Sequence, residues 1–258
     1  MEQYGEDSDI VKIRVRGQFP SQSARQLFPQ EDVDAAFGRH LRHDQYDFAE
    51  KIICVDPAWE GDDAFIIGMR QGLHYQQLAE YPKNSNDIEM ANRIAHFEDE
   101  LLADAVFIDG GYGTGIVSAG RTMGRAWQLV WFSGKSGRLD CFNKRAEIYV
   151  QCAEWLKMGG AIPDDQELYD EMIATEVVPT LDGKYKLPPK EIFKEEMGRS
   201  PNKIDCLAIS FAYPVVKKSP AGLDSVVRKS ADSYDPVNSR IDARRKTQQN
   251  PLDRLKRP

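Results

Sequence analysis

Lys51-Ile52-Ile53-Cys54-Val55-Asp56-Pro57 is a near-continuous apolar run closed by an acid and a proline, and Ala105-Val106-Phe107-Ile108-Asp109-Gly110-Gly111 repeats the pattern. Unbroken apolar runs of this length are the mark of strands covered on both faces of a sheet, whereas a half-exposed strand alternates. Pro57 has no N–H to give to a ladder and ends the first run. Between the two runs, residues 64–69 and 73–81 flank Gln71-Gly72 and read as a hairpin or meander. A helix is expected over 86–102, where Ile88, Ala91, Ile94, Ala95 and Leu101 recur at helical spacing. After the second run come a glycine-led helix over 114–124, a strand over 127–132 and a long helix over 143–158 closed by Gly159-Gly160. A hairpin over 176–187 around Asp182-Gly183 follows, then a last helix over 201–213 with Pro201 in its first turn. This order predicts an α/β fold: a mixed central sheet of five or more strands, helices on both faces and an added β-hairpin.

The ends of the chain read differently. Residues 1–50 form an arm: Val11-Lys12-Ile13-Arg14-Val15-Arg16 alternates like a half-exposed strand, 17–29 is turn-rich, and 31–37 can be a short helix. Beyond Lys217 apolar periodicity is lost, and basic residues, Arg244-Arg245-Lys246 among them, outnumber the acids. Residues 51–216 are therefore expected to be the folded domain and 217–258 a basic, disordered tail.

Composition narrows the class. The chain of 258 residues, 41% hydrophobic and 29% charged, suits one well-buried core. No apolar run approaches the roughly 20 residues a membrane span needs, and the acidic start Met1-Glu2-Gln3-Tyr4-Gly5-Glu6-Asp7 is unlike a secretory signal. Cys54, Cys141, Cys152 and Cys206 contain no C-x-x-C pair, which speaks against a disulfide scaffold or structural zinc and for a reducing compartment. A net charge of −7 speaks against phosphate binding by the whole surface. A site that gathers carboxylates around bound cations reverses that sign locally.

Three acids fall at telling places. Asp56 and Asp109 each end a buried strand. If the two strands are parallel neighbours, their ends lie about 4.8 Å apart, and both carboxylates face one cleft at the carboxyl edge, where open α/β sheets bind ligands. Asp205 lies in Ile204-Asp205-Cys206-Leu207-Ala208-Ile209, a helix apolar nearly all round, where a bare carboxylate is costly unless paired or ligating a cation. Singly, a strand-terminal Asp before Pro or Gly is an ordinary turn former, and Lys203 or Arg199 could neutralise Asp205. Together the three offer the hard oxygens that Mg²⁺ or Mn²⁺ prefers. Two such ions roughly 4 Å apart serve phosphodiester hydrolysis.

Other patterns carry less. Gly134-Lys135-Ser136 looks like the tail of a P-loop, but Leu129 stands where its first glycine belongs, and Ile116 spoils a dinucleotide reading of Gly111-x-Gly113-x-Gly115. That glycine turn can instead bring backbone close to a phosphate or metal. Lys135, Arg138, Lys144 and Arg145, and Lys184 beside the Asp182-Gly183 turn, are candidates for phosphate contacts or for solvated faces. His40, His43, His74 and His96 have no ligand-like spacing.

Several segments together resemble one family, the C-terminal nuclease domain of tailed-phage terminase large subunits. They are Val55-Asp56-Pro57-Ala58, the Phe107-Ile108-Asp109-Gly110-Gly111-Tyr112-Gly113-Thr114-Gly115 stretch, and the helix from Asn143-Lys144-Arg145-Ala146-Glu147 to Trp155-Leu156 with its Gly159-Gly160-Ala161-Ile162-Pro163 loop. Ser200-Pro201-Asn202-Lys203-Ile204-Asp205-Cys206-Leu207-Ala208 is similar to the closing motif, and Arg14-Val15-Arg16-Gly17-Gln18-Phe19-Pro20 to the segment leading out of the ATPase half, so the resemblance spans about residues 10–216. It implies a ribonuclease H-like fold and a two-metal endonuclease that cuts concematemeric viral DNA, that is, DNA of joined genome copies, during genome packaging. It implies Asp56, Asp109 and Asp205 as catalytic metal ligands and a further acid at Asp62, with Asp63 its competitor. Asn202 departs from the motif, which often has Asp there. Residues 1–50 would then be an arm or linker from an ATPase half. Double-stranded DNA, that ATPase domain, the portal protein and the terminase small subunit would be partners, in the host cell cytoplasm. Two other readings use the same residues: a docking module that binds the portal through its basic tail, and a resolvase of branched DNA on the same fold. Trimming the chain after Lys217 should leave cleavage intact and abolish only docking, and linear and four-way DNA compared side by side separate the packaging nuclease from the resolvase.

Overall fold

The structure, a computed structural model, describes residues 25–57, 64–82, 86–178 and 180–218. The expected strand over 11–16, Asp62 and Asp63, and the tail beyond Lys218 lie outside the described residues. Five strands make one sheet: β1 (Lys51–Asp56), β2 (Phe65–Gln71), β3 (His74–Tyr81), β4 (Ala105–Asp109) and β5 (Gln128–Val130). The helices among the described residues are α1 (Gln30–Ala36), α2 (Asp87–Leu101), α3 (Thr114–Thr122), α4 (Lys144–Lys157), α5 (Gln166–Ile173), α6 (Lys190–Met197) and α7 (Asn202–Ile209).

The sheet order is β3-β2-β1-β4-β5. β1 is antiparallel to β2 and parallel to β4, and β4 is parallel to β5, so the sheet is mixed as expected. β1 is central, and its apolar run is divided between two cores. Ile53 and Val55 face Met90, Ile94, Ile116 and Val117 of α2 and α3. Ile52 and Cys54 face a larger core that includes Ile148, Cys152, Met172, Cys206 and Leu207 of α4, α5 and α7. The period of two along the strand sends alternate residues to opposite helical layers, which is why the sequence shows no polar alternation.

The second half of the leading arm belongs to the larger core. Leu27, Phe28, Val33 and Ala36 are buried in it, and Leu27 N–H donates to the Thr175 carbonyl at 3.0 Å. Two helices, α5 and α6, were not foreseen. Each has only eight residues, too few for periodicity to stand out. The signals were at the ends: the Asp165 carboxylate accepts the Glu167 and Leu168 amides at the start of α5, and Gly198 at φ +74° stops α6.

Of the hairpin expected over 176–187, the described residues show the antiparallel bridge Val178↔Lys186. The Asp182-Gly183 turn does form, with Gly183 N–H donating to the Thr180 carbonyl at 3.0 Å. Tyr185, in the second arm, bridges to Cys141. The last helix ends at Ile209 rather than 213; Ser210, Phe211 and Ala212 continue in tighter bonds to the carbonyls of Leu207, Ala208 and Ile209.

Strand β2 is bulged between Ile67 and Gly68, and the buried Tyr75 ring lies over Gly68. A methyl group there would sit 2.8 Å from the ring carbon Cε2. Gly68→Ala is expected to lower unfolding free energy by about 1–3 kcal/mol through overpacking, read as a lower urea midpoint with an unchanged slope.

Candidate active site

The parallel pairing of β1 and β4 runs in register to Val55↔Ile108. Asp56 and Asp109 follow one step on, at adjoining strand ends. Because Val55 and Ile108 face the α2–α3 layer, strand alternation turns both acids toward the opposite layer, where α7 lies. Helix α7 packs across β1, with the Cys206 thiol donating to the Cys54 carbonyl at 3.3 Å. That contact delivers Asp205, which is fully buried, to the two strand-end acids, themselves 6% and 8% exposed.

The three carboxylates sense one another. Burial lifts the Asp56 pKa well above the usual carboxylate range; Lys190 pulls it down, while Asp205 and Asp109 push it up. Asp109 is raised for the same first reason, with Lys190 opposing, Asp205 adding, and the Gly111 and Gly110 amides lowering it by donating to the carboxylate. The glycine turn makes that approach possible: a Cβ on Gly111 would stand 2.9 Å from Asp109 Oδ2, and one on Gly110 would strike the Trp131 ring at 2.6 Å. The turn is thus used to reach Asp109 itself.

Lys190, the first residue of α6, places Nζ 2.6 Å from Asp205 Oδ2. Burial alone would lower its pKa, but Asp205 and then Asp56 more than offset this and hold the ammonium charged. On the other Asp205 oxygen, the Tyr149 hydroxyl donates at 2.5 Å and Arg145 Nε stands 3.8 Å away. Arg145 also donates to the Pro188 carbonyl at 2.9 Å, tying α4 to the segment before α6. Neither Lys203 nor Arg199, the partners expected for Asp205, is used for it. Lys203 pairs with Asp165 and Glu167, and Arg199 with Glu171.

The structure therefore brings Asp56, Asp109 and Asp205 together and adds Arg145 to them. The remaining basic candidates are elsewhere engaged: Arg138 with Asp140 and Glu154, Lys144 with Glu147, and Lys184 with Asp182. Lys135 is exposed and has no ion pair among the described residues. Lys190 and Tyr149 were missed. The only signal for Lys190 was its place after Pro188-Pro189, at a helix start; for Tyr149 there was none, since an aromatic on a buried helix face reads as core.

Among the described residues, no three acid, His or Cys side chains already close around one point at ligand distance. The cluster nevertheless fits a divalent cation. Its donors are hard carboxylate oxygens, three acids share one buried corner, and an ammonium ion already stands beside Asp205 as the cation of the group.

No protein-family model matches the chain, and no curated protein matches it. Solved structures do. The nuclease domain of the large terminase subunit gp2 of bacterial virus Sf6 superposes with a TM-score of 0.59 at 20% identity, covering 73% of this chain and 99% of that one. The chain has the fold of a phage terminase nuclease domain. A mutant of the Sf6 domain with manganese and beta-thujaplicinol gives a TM-score of 0.59 at 21% identity, with coverage of 73% and 99%. The large terminase nuclease from thermophilic phage G20c gives 0.51 at 14% identity, covering 72% of this chain and 97% of that one.

Raised carboxylate pKa values carry a stability signature. Asp56 and Asp109 hold protons more tightly folded than unfolded, so their favourable contribution is complete below about pH 4, the unfolded range, and is lost as pH rises through the raised folded values. In metal-free protein, Asp56→Asn is expected to raise the melting temperature at pH 7.5 and to flatten the decline in stability between pH 4 and neutrality, as followed by thermal unfolding across pH.

Proposed function

We propose that this chain is a divalent-metal-dependent DNA endonuclease that cuts concatemeric viral DNA during genome packaging. The observation that carries this reading is the convergence of Asp56, Asp109 and Asp205, from two parallel strand ends and one buried helix, on the Lys190 ammonium. The fold it shares with structures named as terminase nucleases supports the same reading. In it, double-stranded DNA is the substrate, an ATPase domain, portal protein and small subunit are partners, and the host cell cytoplasm is the place of action. In this reading the catalytic domain takes in the buried segment from Leu27 to Ala36 as well as residues 51–216, so only the residues before that segment serve as the arm from the ATPase half, and 217–258 are the basic tail.

Asp56, Asp109 and Asp205 would hold two ions, Mg²⁺ or Mn²⁺, with Asp62 a further ligand. When bound, such ions supply the charge that polarises a phosphodiester and makes a coordinated water acidic enough to attack. The chain's own residues prepare that arrangement. The Gly110 and Gly111 amides keep the Asp109 carboxylate at the strand end. Tyr149 and Arg145 fix the outer oxygen of Asp205, leaving its second oxygen to Lys190. Lys190 neutralises the acids in the metal-free chain, and its ammonium stands at the Asp205 oxygen that would otherwise be offered to a cation. Lys135, exposed beyond β5, is free to meet a phosphate. No element of the chain resembles a base-reading motif, so cleavage should show little sequence preference.

Asp109→Ala is expected to reduce Mn²⁺-dependent plasmid cleavage by more than about a hundredfold; a variant that cuts like wild type removes the basis of the proposal. Lys190→Ala, which takes away the competing cation, is expected to lower the Mn²⁺ concentration for half-maximal cleavage by about tenfold, measured by metal titration at fixed DNA.

A further inference from the structure

Helix α7 carries Asp205, yet the start of α7 is capped by a different helix. Pro201 occupies the capping position and provides no side-chain acceptor, so the first amides of the helix need a partner from outside. Glu171 of α5 supplies it. Its Oε2 accepts the Ile204 N–H at 2.9 Å, and the carboxylate also accepts from the Lys203 amide. Its Oε1 receives Arg199 Nη1 at 2.7 Å. Glu171 is fully buried, and burial pushes its pKa up to about 8, against the pull of the two amides and Arg199.

The arrangement is reciprocal. Lys203 of α7 reaches back to the start of α5, with Nζ 2.7 Å from Asp165 and 2.8 Å from Glu167. Asp165 is the residue that caps α5. Each helix therefore holds the other's first turn, and the Ile204 amide that Glu171 holds lies one residue from Asp205 along α7. A serine or aspartate in place of Pro201 would cap α7 locally without burying a carboxylate in the core. Burying Glu171 instead fixes α7 relative to α5, along its axis as well as around it.

We propose that Glu171 is a positioning residue for the nuclease site: by accepting the Lys203 and Ile204 amides it sets where the first turn of α7 lies, and so how far Asp205 reaches toward Asp56 and Asp109. The inference rests on the nuclease reading above. A shift of about 1 Å in a reacting or ligating group costs on the order of a hundredfold in rate, so a cap that governs the placement of α7 governs turnover.

The test compares the whole chain as wild type, Glu171→Ala, Glu171→Gln and Ile94→Ala. Ile94 is buried in the core on the opposite face of the sheet, so its truncation destabilises the fold without touching α7. Plasmid cleavage with Mn²⁺ gives kcat and KM, and paramagnetic resonance of Mn²⁺ without DNA gives metal affinity, all well below each variant's Tm. Glu171→Ala is expected to lower kcat by about 10–100-fold, to leave KM for DNA within roughly twofold, and to weaken Mn²⁺ binding by about tenfold. Glu171→Gln, whose carbonyl oxygen still accepts an amide, is expected to recover most of both losses. Ile94→Ala is expected to lower Tm alone.

Wild-type kcat and Mn²⁺ affinity in Glu171→Ala would overturn the proposal, and so would equal losses in Ile94→Ala. If the alanine variant does not fold, Glu171→Asp, one methylene too short to reach the amides, takes its place and should fail where glutamine succeeds. Asp109→Ala assayed alongside keeps the two readings apart: if it cuts DNA the nuclease reading fails, while Mn²⁺ affinity still decides the role of Glu171.

Discussion

Three carboxylates packed into one buried corner repel each other, and the corner is stable only if positive charge enters it. Most of the architecture around the site answers that constraint. The parallel pairing of β1 with β4 sets two of the acids side by side, α7 buries the third against them, and α4 and α6 return Arg145 and Lys190 to face it. Proteins that need only a stable core place leucine or isoleucine at such positions. Keeping three acids there lowers stability in the metal-free state, a cost that the nuclease reading proposed above accounts for.

The surroundings of Asp205 show how a helix acid is aimed. One oxygen is held by a tyrosine and approached by an arginine, both from α4; the other meets a lysine from α6. The start of its own helix is fixed from α5. Three neighbouring elements thus determine the direction of one carboxylate, whereas Asp56 and Asp109 are directed mainly by the strands that carry them. Strand ends are rigid by virtue of the ladder; a two-turn helix is not, and needs neighbours.

This difference explains what could be read from the sequence. Asp56 and Asp109 were legible because an unbroken apolar run ending in an acid is a local pattern, and Asp205 because an acid in an apolar helix is locally anomalous. The mixed sheet and its two helical layers followed from the order of those patterns. Lys190, Tyr149 and Glu171 were not legible, since nothing adjacent in the chain distinguishes them from a surface lysine, a core tyrosine and a helix glutamate. Their roles exist only after α4, α5 and α6 have packed. The basic candidates other than Arg145 did not converge because nearer acids hold them: Lys144 pairs with Glu147 one turn along α4, a spacing present in the sequence, while Arg138 meets Glu154, a partner that only the folded loop before α4 brings near.

The contact between Cys54 and Cys206 joins residues 152 positions apart. It is also the contact that seats the third acid over the first two. A polypeptide emerging from the ribosome can pair β1 with β2 early, from neighbouring segments, but it cannot gather the acids until α7 has been synthesised and has docked. Any truncated product ending before α7 lacks the third acid and the helix that seats it, whatever else of the sheet it has formed, so the three-acid corner assembles only in a chain carried through that helix.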